Sequence, residues 1–176
     1  MTAAQEQLYQ HILHELVAAN VEFCVIGTYG LRAQCPALTA YPVPDCDLML
    51  PLLLENLTAL VHCLQANNWM VTLWEQPVQL PLSAAELAGK YYLRARQAGA
   101  VLDCSYENDY QSWEEFTSQL HWHQGLPLAS AAHILHQKAR CGRPGDREVL
   151  RLVGEMTAKP PKKASQPHKE RVREIH

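Results

Sequence analysis

Tyr41-Pro42-Val43-Pro44-Asp45-Cys46-Asp47-Leu48-Met49-Leu50 is a proline-spaced approach that leads two acidic residues into an apolar run. The run reads as a strand from about Asp45 to Leu50, and side chains at i and i+2 of a strand leave from the same face. Asp45 and Asp47 therefore project together, roughly 7 Å apart along the backbone. Asp103 has a similar setting, after Ala100-Val101-Leu102 and before Cys104-Ser105-Tyr106. Three carboxylates converging at strand ends suit hard divalent cations, which points to phosphate chemistry.

Upstream of the acidic pair, Val21 to Ile26 is apolar and partly β-branched and reads as a buried strand closed by Gly27. Gly27-Thr28-Tyr29-Gly30 then turns into a short helix around Leu31 and Arg32. A strand that passes through glycine into a helix exposes backbone N–H groups to a phosphate with no side chain in the way. Thr28 adds a hydroxyl to the same turn.

The rest of the chain supplies elements on which these residues can sit. Leu8, Ile12, Leu16 and Val17 predict a helix over about 3–19, with Asn20 as its stop. Pro36, Pro42 and Pro44 predict a loop over 34–44. Leu57, Leu60, Val61 and Leu64 predict a helix over 53–66, and Trp69 to Trp74 a short strand. Residues 76–88 are broken by Pro77 and Pro81, with a capping box at Ser83-Ala84-Ala85-Glu86. Tyr91 to Arg96, a Gln97-Ala98-Gly99 turn and Ala100 to Tyr106 predict a hairpin carrying Asp103. Trp113 to Leu120 reads as helical and Leu126-Pro127-Leu128 as a short extended piece. Ser130 caps a helix through about Arg140, and Pro144 opens a last helix. This order predicts an α/β (α+β) domain: a small mixed β-sheet flanked by helices, with C-terminal helices and the carboxylates on one rim.

The totals fit one domain. The chain has 176 residues, 48% hydrophobic and 19% charged, with a formal net charge of −3. Residues 159–176 carry six Lys/Arg against two Glu, a local +4, so the remainder carries −7. The division expected is a folded domain over 1–157 and a basic, disordered tail over 158–176. No apolar run approaches a membrane span and the N-terminus lacks signal-peptide character, so the expected address is the cytoplasm, with no membrane partner. Six scattered cysteines without a CxxC pair are expected to be free thiols.

At this point the residues resemble a family. Val25-Ile26-Gly27-Thr28, then Asp45-Cys46-Asp47-Leu48, then Val101-Leu102-Asp103 is similar to the pattern of the nucleotidyltransferase superfamily, the polymerase-β-like fold, in its small bacterial single-domain members. Ile134-Leu135-His136-Gln137-Lys138-Ala139 and Arg143-Pro144-Gly145-Asp146 resemble the helical end of those members. The resemblance covers about residues 8–153. It implies metal-dependent transfer of a nucleoside monophosphate from an NTP to a hydroxyl, with release of pyrophosphate. Asp45, Asp47 and Asp103 would be catalytic and bind Mg²⁺, two ions when the NTP is present. Gly27 and Thr28 would position the triphosphate, Lys138 would reach phosphate, and Asp146 would be structural. The acceptor stays open between a small molecule, an RNA end and a protein hydroxyl.

The sequence departs from the pattern where many relatives carry Arg and Thr, four and two residues before the first Asp; here stand Tyr41 and Val43. That departure frames the alternative, a catalytically degenerate member serving as a binding or toxin–antitoxin-type partner. Other constellations are thinner. Arg94 and Arg96, with Lys90, can present cations from the strand beside Asp103. His121/His123 and His133/His136 raise zinc, although no four residues have zinc-site spacing. Ser105, His121 and Asp103 could form a hydrolase triad, but no G-x-S-x-G elbow is present, and no G-x-x-x-x-G-K-[ST] occurs.

Overall fold

The computed structural model describes residues 1–158; the basic segment 159–176 and the readings made on it lie outside the described residues. The chain starts with α1, Ala3–Ala18, capped reciprocally by Thr2 and Gln5. Its fully buried stripe is Tyr9, Ile12, Leu13 and Leu16, with Val17 left 36% exposed. The inward face is thus turned from the expected Leu8–Val17 line because Tyr9 belongs to it. Asn20 ends the helix in the left-handed region, at φ 55°, a conformation asparagine tolerates well.

Among the described residues, eight strands form one mixed sheet. They are β1 Cys24–Ile26, β2 Cys46–Leu50, β3 Met70–Leu73, β4 Gln76–Pro77, β5 Tyr92–Gln97, β6 Ala100–Tyr106, β7 Leu120–His123 and β8 Leu126–Ala129. Their order is β4-β3-β5-β6-β2-β1-β8-β7. β2 runs antiparallel to β1 and parallel to β6, while β1 is parallel to β8. The helices between them are α2 Gly27–Gln34, α3 Leu54–Ala66, α4 Ala84–Leu87, α5 Trp113–Thr117, α6 Ala131–Cys141 and α7 Pro144–Ala158. This is the mixed α/β architecture expected from the element order.

Strand alternation divides the core. Cys46, Leu48 and Leu50 join Leu93, Leu102, Cys104 and the buried faces of α1 and α3 in one cluster. Cys24, Met49 and Ala129 join Leu31, Phe116, Ile134 and Val149 in a second, beneath α2, α5, α6 and α7. The odd residues of β2 and β6 that are not covered by the second cluster are left to form a site.

Several boundaries differ from expectation. Only Cys24–Ile26 of the Val21–Ile26 run pairs as strand, and α2 begins at Gly27 without a preceding turn. The 34–44 segment contains one 3₁₀ turn, Pro36–Leu38, which tolerates proline because it starts with one. The expected Trp113–Leu120 helix stops at Thr117, and Leu120 opens β7. Gln124 and Gly125 both adopt positive φ, 51° and 79°, as a two-residue hairpin requires, so β7 folds onto β8. Ala98-Gly99 does the same between β5 and β6, at 47° and 81°. Pro77 lies in the two-residue edge strand β4, where a missing N–H does no harm. All six cysteines are free thiols, four of them buried. No helix among the described residues is long and apolar enough to cross a membrane.

Candidate active site

Register across the sheet places the chemistry. Thr72 of β3 opposes Arg94 of β5, Arg94 opposes Asp103 of β6, Asp103 opposes Asp47 of β2, and Asp47 opposes Ile26 of β1. Directly opposed residues share a face, so one transverse row carries a guanidinium, two carboxylates and the residue before Gly27. Asp45, two residues before Asp47, joins from the end of the same strand. Carboxylate oxygens of Asp45, Asp47 and Asp103 all lie within 4.8 Å of one another.

Asp47 sits where β1 runs into α2. Gly27 has φ +63°, and a Cβ there would fall 1.9 Å from Asp47 Oδ2. The glycine is needed first because Asp47 occupies the space a side chain would fill, and second for its backbone conformation. Among the described residues no side chain caps the N-terminus of α2. Thr28 is half-buried in that turn but does not line the hollow described next.

A hollow of about 220 Å³ opens beside this junction, lined by Gly27, Asp47, Gln137, Lys138, Arg143 and Asp146 among others. Lys138 Nζ donates to Asp146 Oδ1 at 2.9 Å, with both side chains nearly buried. The two reach each other because α6 and α7 meet at Gly142, which is left-handed at φ 60° and closes α6. Arg143 opens the turn into α7 and lies exposed at the rim. Arg143 and Gly27 are distant in sequence and line the same hollow only through tertiary packing, so no local signal marks Arg143 as part of the site. Larger hollows of about 390 Å³ and 860 Å³ hold none of the three carboxylates.

Electrostatics follow from the crowding. Burial, then the neighbouring charges of Asp45 and Asp103, push the Asp47 carboxyl up to about 7. Burial and Asp103 likewise raise Asp45. Neither Asp45 nor Asp47 accepts a side-chain hydrogen bond among the described residues, whereas Asp103 is clasped at both oxygens. Arg94 Nε donates to its Oδ1 at 2.5 Å and Nη2 to its Oδ2 at 2.8 Å. Oxygen-only donors crowded at this spacing fit a hard divalent cation such as Mg²⁺, and the volume cleared by Gly27 keeps Asp47 among them.

Of the other candidates, Arg96 is exposed and Lys90 lines a separate hollow with Leu52 and Leu87. His121 lies on β7, separated from Asp103 and Ser105 of β6 by β8, β1 and β2, so the three do not form a triad. His133 packs on Phe116, with ring centroids 4.5 Å apart. Tyr41 and Val43 have packing roles: Val43 is 1% exposed in the core, and Tyr41 packs in the cluster under α7 with its hydroxyl 3.5 Å from Gly145 O.

No protein-family model matches the sequence, and no curated protein is significantly similar to it. Solved structures similar to this one include the following two. One is the crystal structure of ANT(2″)-Ia in complex with adenylyl-2″-tobramycin, at 18% identity and TM-score 0.58 over 88% of this chain and 90% of that one. The other is the solution structure of the antibiotic-resistance factor ANT(2″)-Ia, at 17% identity and TM-score 0.53 over 86% and 85%. Both are aminoglycoside nucleotidyltransferases. With its mixed sheet, its C-terminal helices and this likeness, the chain has the fold of these two structures.

Proposed function

We propose that this protein transfers a nucleoside monophosphate from an NTP to a hydroxyl of a small-molecule acceptor. The observation that carries the reading is the convergence of Asp45, Asp47 and Asp103 within 4.8 Å, beside the glycine-led N-terminus of α2. The product named in one neighbour's complex, an adenylylated tobramycin, is of the kind such a transfer yields and supports a small-molecule acceptor.

In this reading Asp45 and Asp47 hold Mg²⁺, with Asp103 as a further ligand. The cation, when bound, supplies positive charge where the transferring phosphoryl group and its leaving group become more negative. The first-turn N–H groups of α2 from Gly27 and Thr28, with Lys138 and Arg143, grip the triphosphate. Asp103 stands at the acceptor side and takes the hydroxyl proton. The acceptor oxygen forms its bond to the α-phosphorus as the bond to the β-phosphate oxygen breaks, and pyrophosphate leaves with that electron pair.

The test is incubation with each labelled NTP, Mg²⁺ and a panel of aminoglycosides and other polyhydroxylated amines, read as labelled product. Asp45→Asn and Asp47→Asn should each abolish product while the proteins stay folded. Full transfer by either variant would overturn the assignment. In parallel, Mg²⁺ with the right NTP should raise the melting temperature through linkage.

A further inference from the structure

Asp103 differs from its two partners in what it already holds. Both its oxygens accept from the Arg94 guanidinium, a bidentate pairing that is the strongest geometry available to these two groups. The pairing is built into the sheet, because Arg94 and Asp103 are opposed on β5 and β6. On its other flank Arg94 opposes Thr72, whose hydroxyl donates to Arg94 O at 3.3 Å. The guanidinium carbon also lies 5.5 Å from the Tyr92 ring centroid, and the side chain is 34% exposed. Arg94 therefore has somewhere to go: a phosphate oxygen pair, which its fork fits equally well.

Charge counting makes the contact consequential. Three ionised carboxylates, one guanidinium and one divalent ion sum to zero. A second divalent ion added to that set gives two net positive charges in a partly buried site, unless a polyanion arrives with it or Arg94 withdraws. Each oxygen that Arg94 occupies is also an oxygen that a second ion needs.

We propose that Arg94 is a resident cation that competes with a divalent metal ion for Asp103. Without nucleotide the centre would take one ion, held by Asp45 and Asp47, and a second would be admitted only when Arg94 releases Asp103. This rests on the metal-dependent reading above and adds to it a residue that sets the order of loading. Arg94 is thus a positioning residue, acting through Asp103.

The experiment counts Mn²⁺ bound by the nucleotide-free full chain, from the signal of free Mn²⁺ in electron paramagnetic resonance. The wild type should bind one ion per chain. Arg94→Ala should bind two, or bind the second at least tenfold more tightly. Arg94→Gln keeps part of the aliphatic stem and carries the same expectation should the alanine variant fold poorly. Arg94→Lys cannot fork and should fall between. Adding Asp103→Asn to either neutral variant should return the count to one. Two ions in the wild type without nucleotide, or one ion of unchanged affinity in both neutral variants, would overturn the proposal. Asp45→Asn and Asp47→Asn separate this from the underlying reading. If they abolish Mn²⁺ binding while the Arg94 variants match wild type, only the role of Arg94 fails. If they bind Mn²⁺ as wild type does, the metal centre itself is wrong.

Discussion

Asp47 and Gly27 compete for one volume, and the glycine yields it: a Cβ on residue 27 would meet Asp47 Oδ2 at 1.9 Å. Gly27→Ala must either push the carboxylate out of the acidic cluster or shift the β1–α2 junction. It also strains a backbone at φ +63°, which costs about 1 kcal/mol for a non-glycine residue. The variant is expected to lose divalent-ion binding and turnover together, with a stability loss of about 1–3 kcal/mol. Mn²⁺ titration with thermal melting checks this; an alanine variant that keeps wild-type ion affinity would show that Asp47 has room to spare.

The pH dependence of stability reports on the same carboxylate. Asp47 is raised to about 7 from 3.8, chiefly by burial and then by Asp45 and Asp103. A carboxyl whose folded value lies above its unfolded value binds its proton more tightly in the folded protein, so stability falls as pH rises through that interval. The penalty is absent below about pH 4 and complete above about pH 7, with a ceiling of about 4 kcal/mol at 1.36 kcal/mol per unit. Asp47 keeps some contact with water and shares its charge repulsion with two neighbours, so about 1–2 kcal/mol is expected. Asp47→Asn should therefore be more stable than wild type at pH 8 without metal and equal to it near pH 4, by urea unfolding at both. A variant less stable than wild type at pH 8 would contradict the burial argument.

What the sequence made legible, and what it did not, divides along the range of the interactions. Gly27, Asp45 and Asp47 stand out because each sits at the end of a local apolar run that declares itself a strand, and Asp103 because it interrupts one. The Ser83–Glu86 capping box and the Pro144 helix start are similarly local, and both are present. The Arg94–Asp103 clasp depends on hairpin register, which hinges on Ala98-Gly99 acting as a two-residue turn rather than a three-residue one. The β7–β8 hairpin was hidden because Gln124-Gly125 is a weak turn signal beside a run of aromatic and histidine residues that suits several elements. Tyr41 and Val43 look like missing helpers in a linear pattern, whereas tertiary packing shows them filling core space.

Lys138 and Asp146 allow the phosphate role and the structural role to be separated. Their 2.9 Å ion pair is nearly buried, so removing either partner strands the other, and breaking such a pair costs about 3 kcal/mol or more. Lys138→Met is expected to lower both the melting temperature and NTP affinity, the latter tenfold or more. Asp146→Asn should lower the melting temperature but leave NTP affinity within about threefold, because the lysine charge remains. Calorimetric titration of NTP into both variants decides the matter; equal losses of affinity would make the pair purely structural.

Tyr9 shows how the helix layer steadies the strand that carries Asp103. β2 begins opposite Leu102, so among the described residues no strand pairs with Val101 on that side. The Tyr9 hydroxyl fills the gap, donating to Val101 O and accepting from Val101 N–H, both at 3.0 Å. Burial of the ring raises the hydroxyl to about 12, so it stays a neutral donor and acceptor at any physiological pH. Tyr9→Phe keeps the ring among Tyr29 and Trp69 but leaves two backbone groups without partners. The expected loss is about 1–3 kcal/mol, with faster hydrogen exchange at the Val101 amide. Because Asp103 lies two residues farther along the same strand, divalent-ion affinity should also weaken, by a few-fold rather than completely. Unchanged exchange at Val101 would mean that water replaces the hydroxyl, and that α1 supports the site through packing alone.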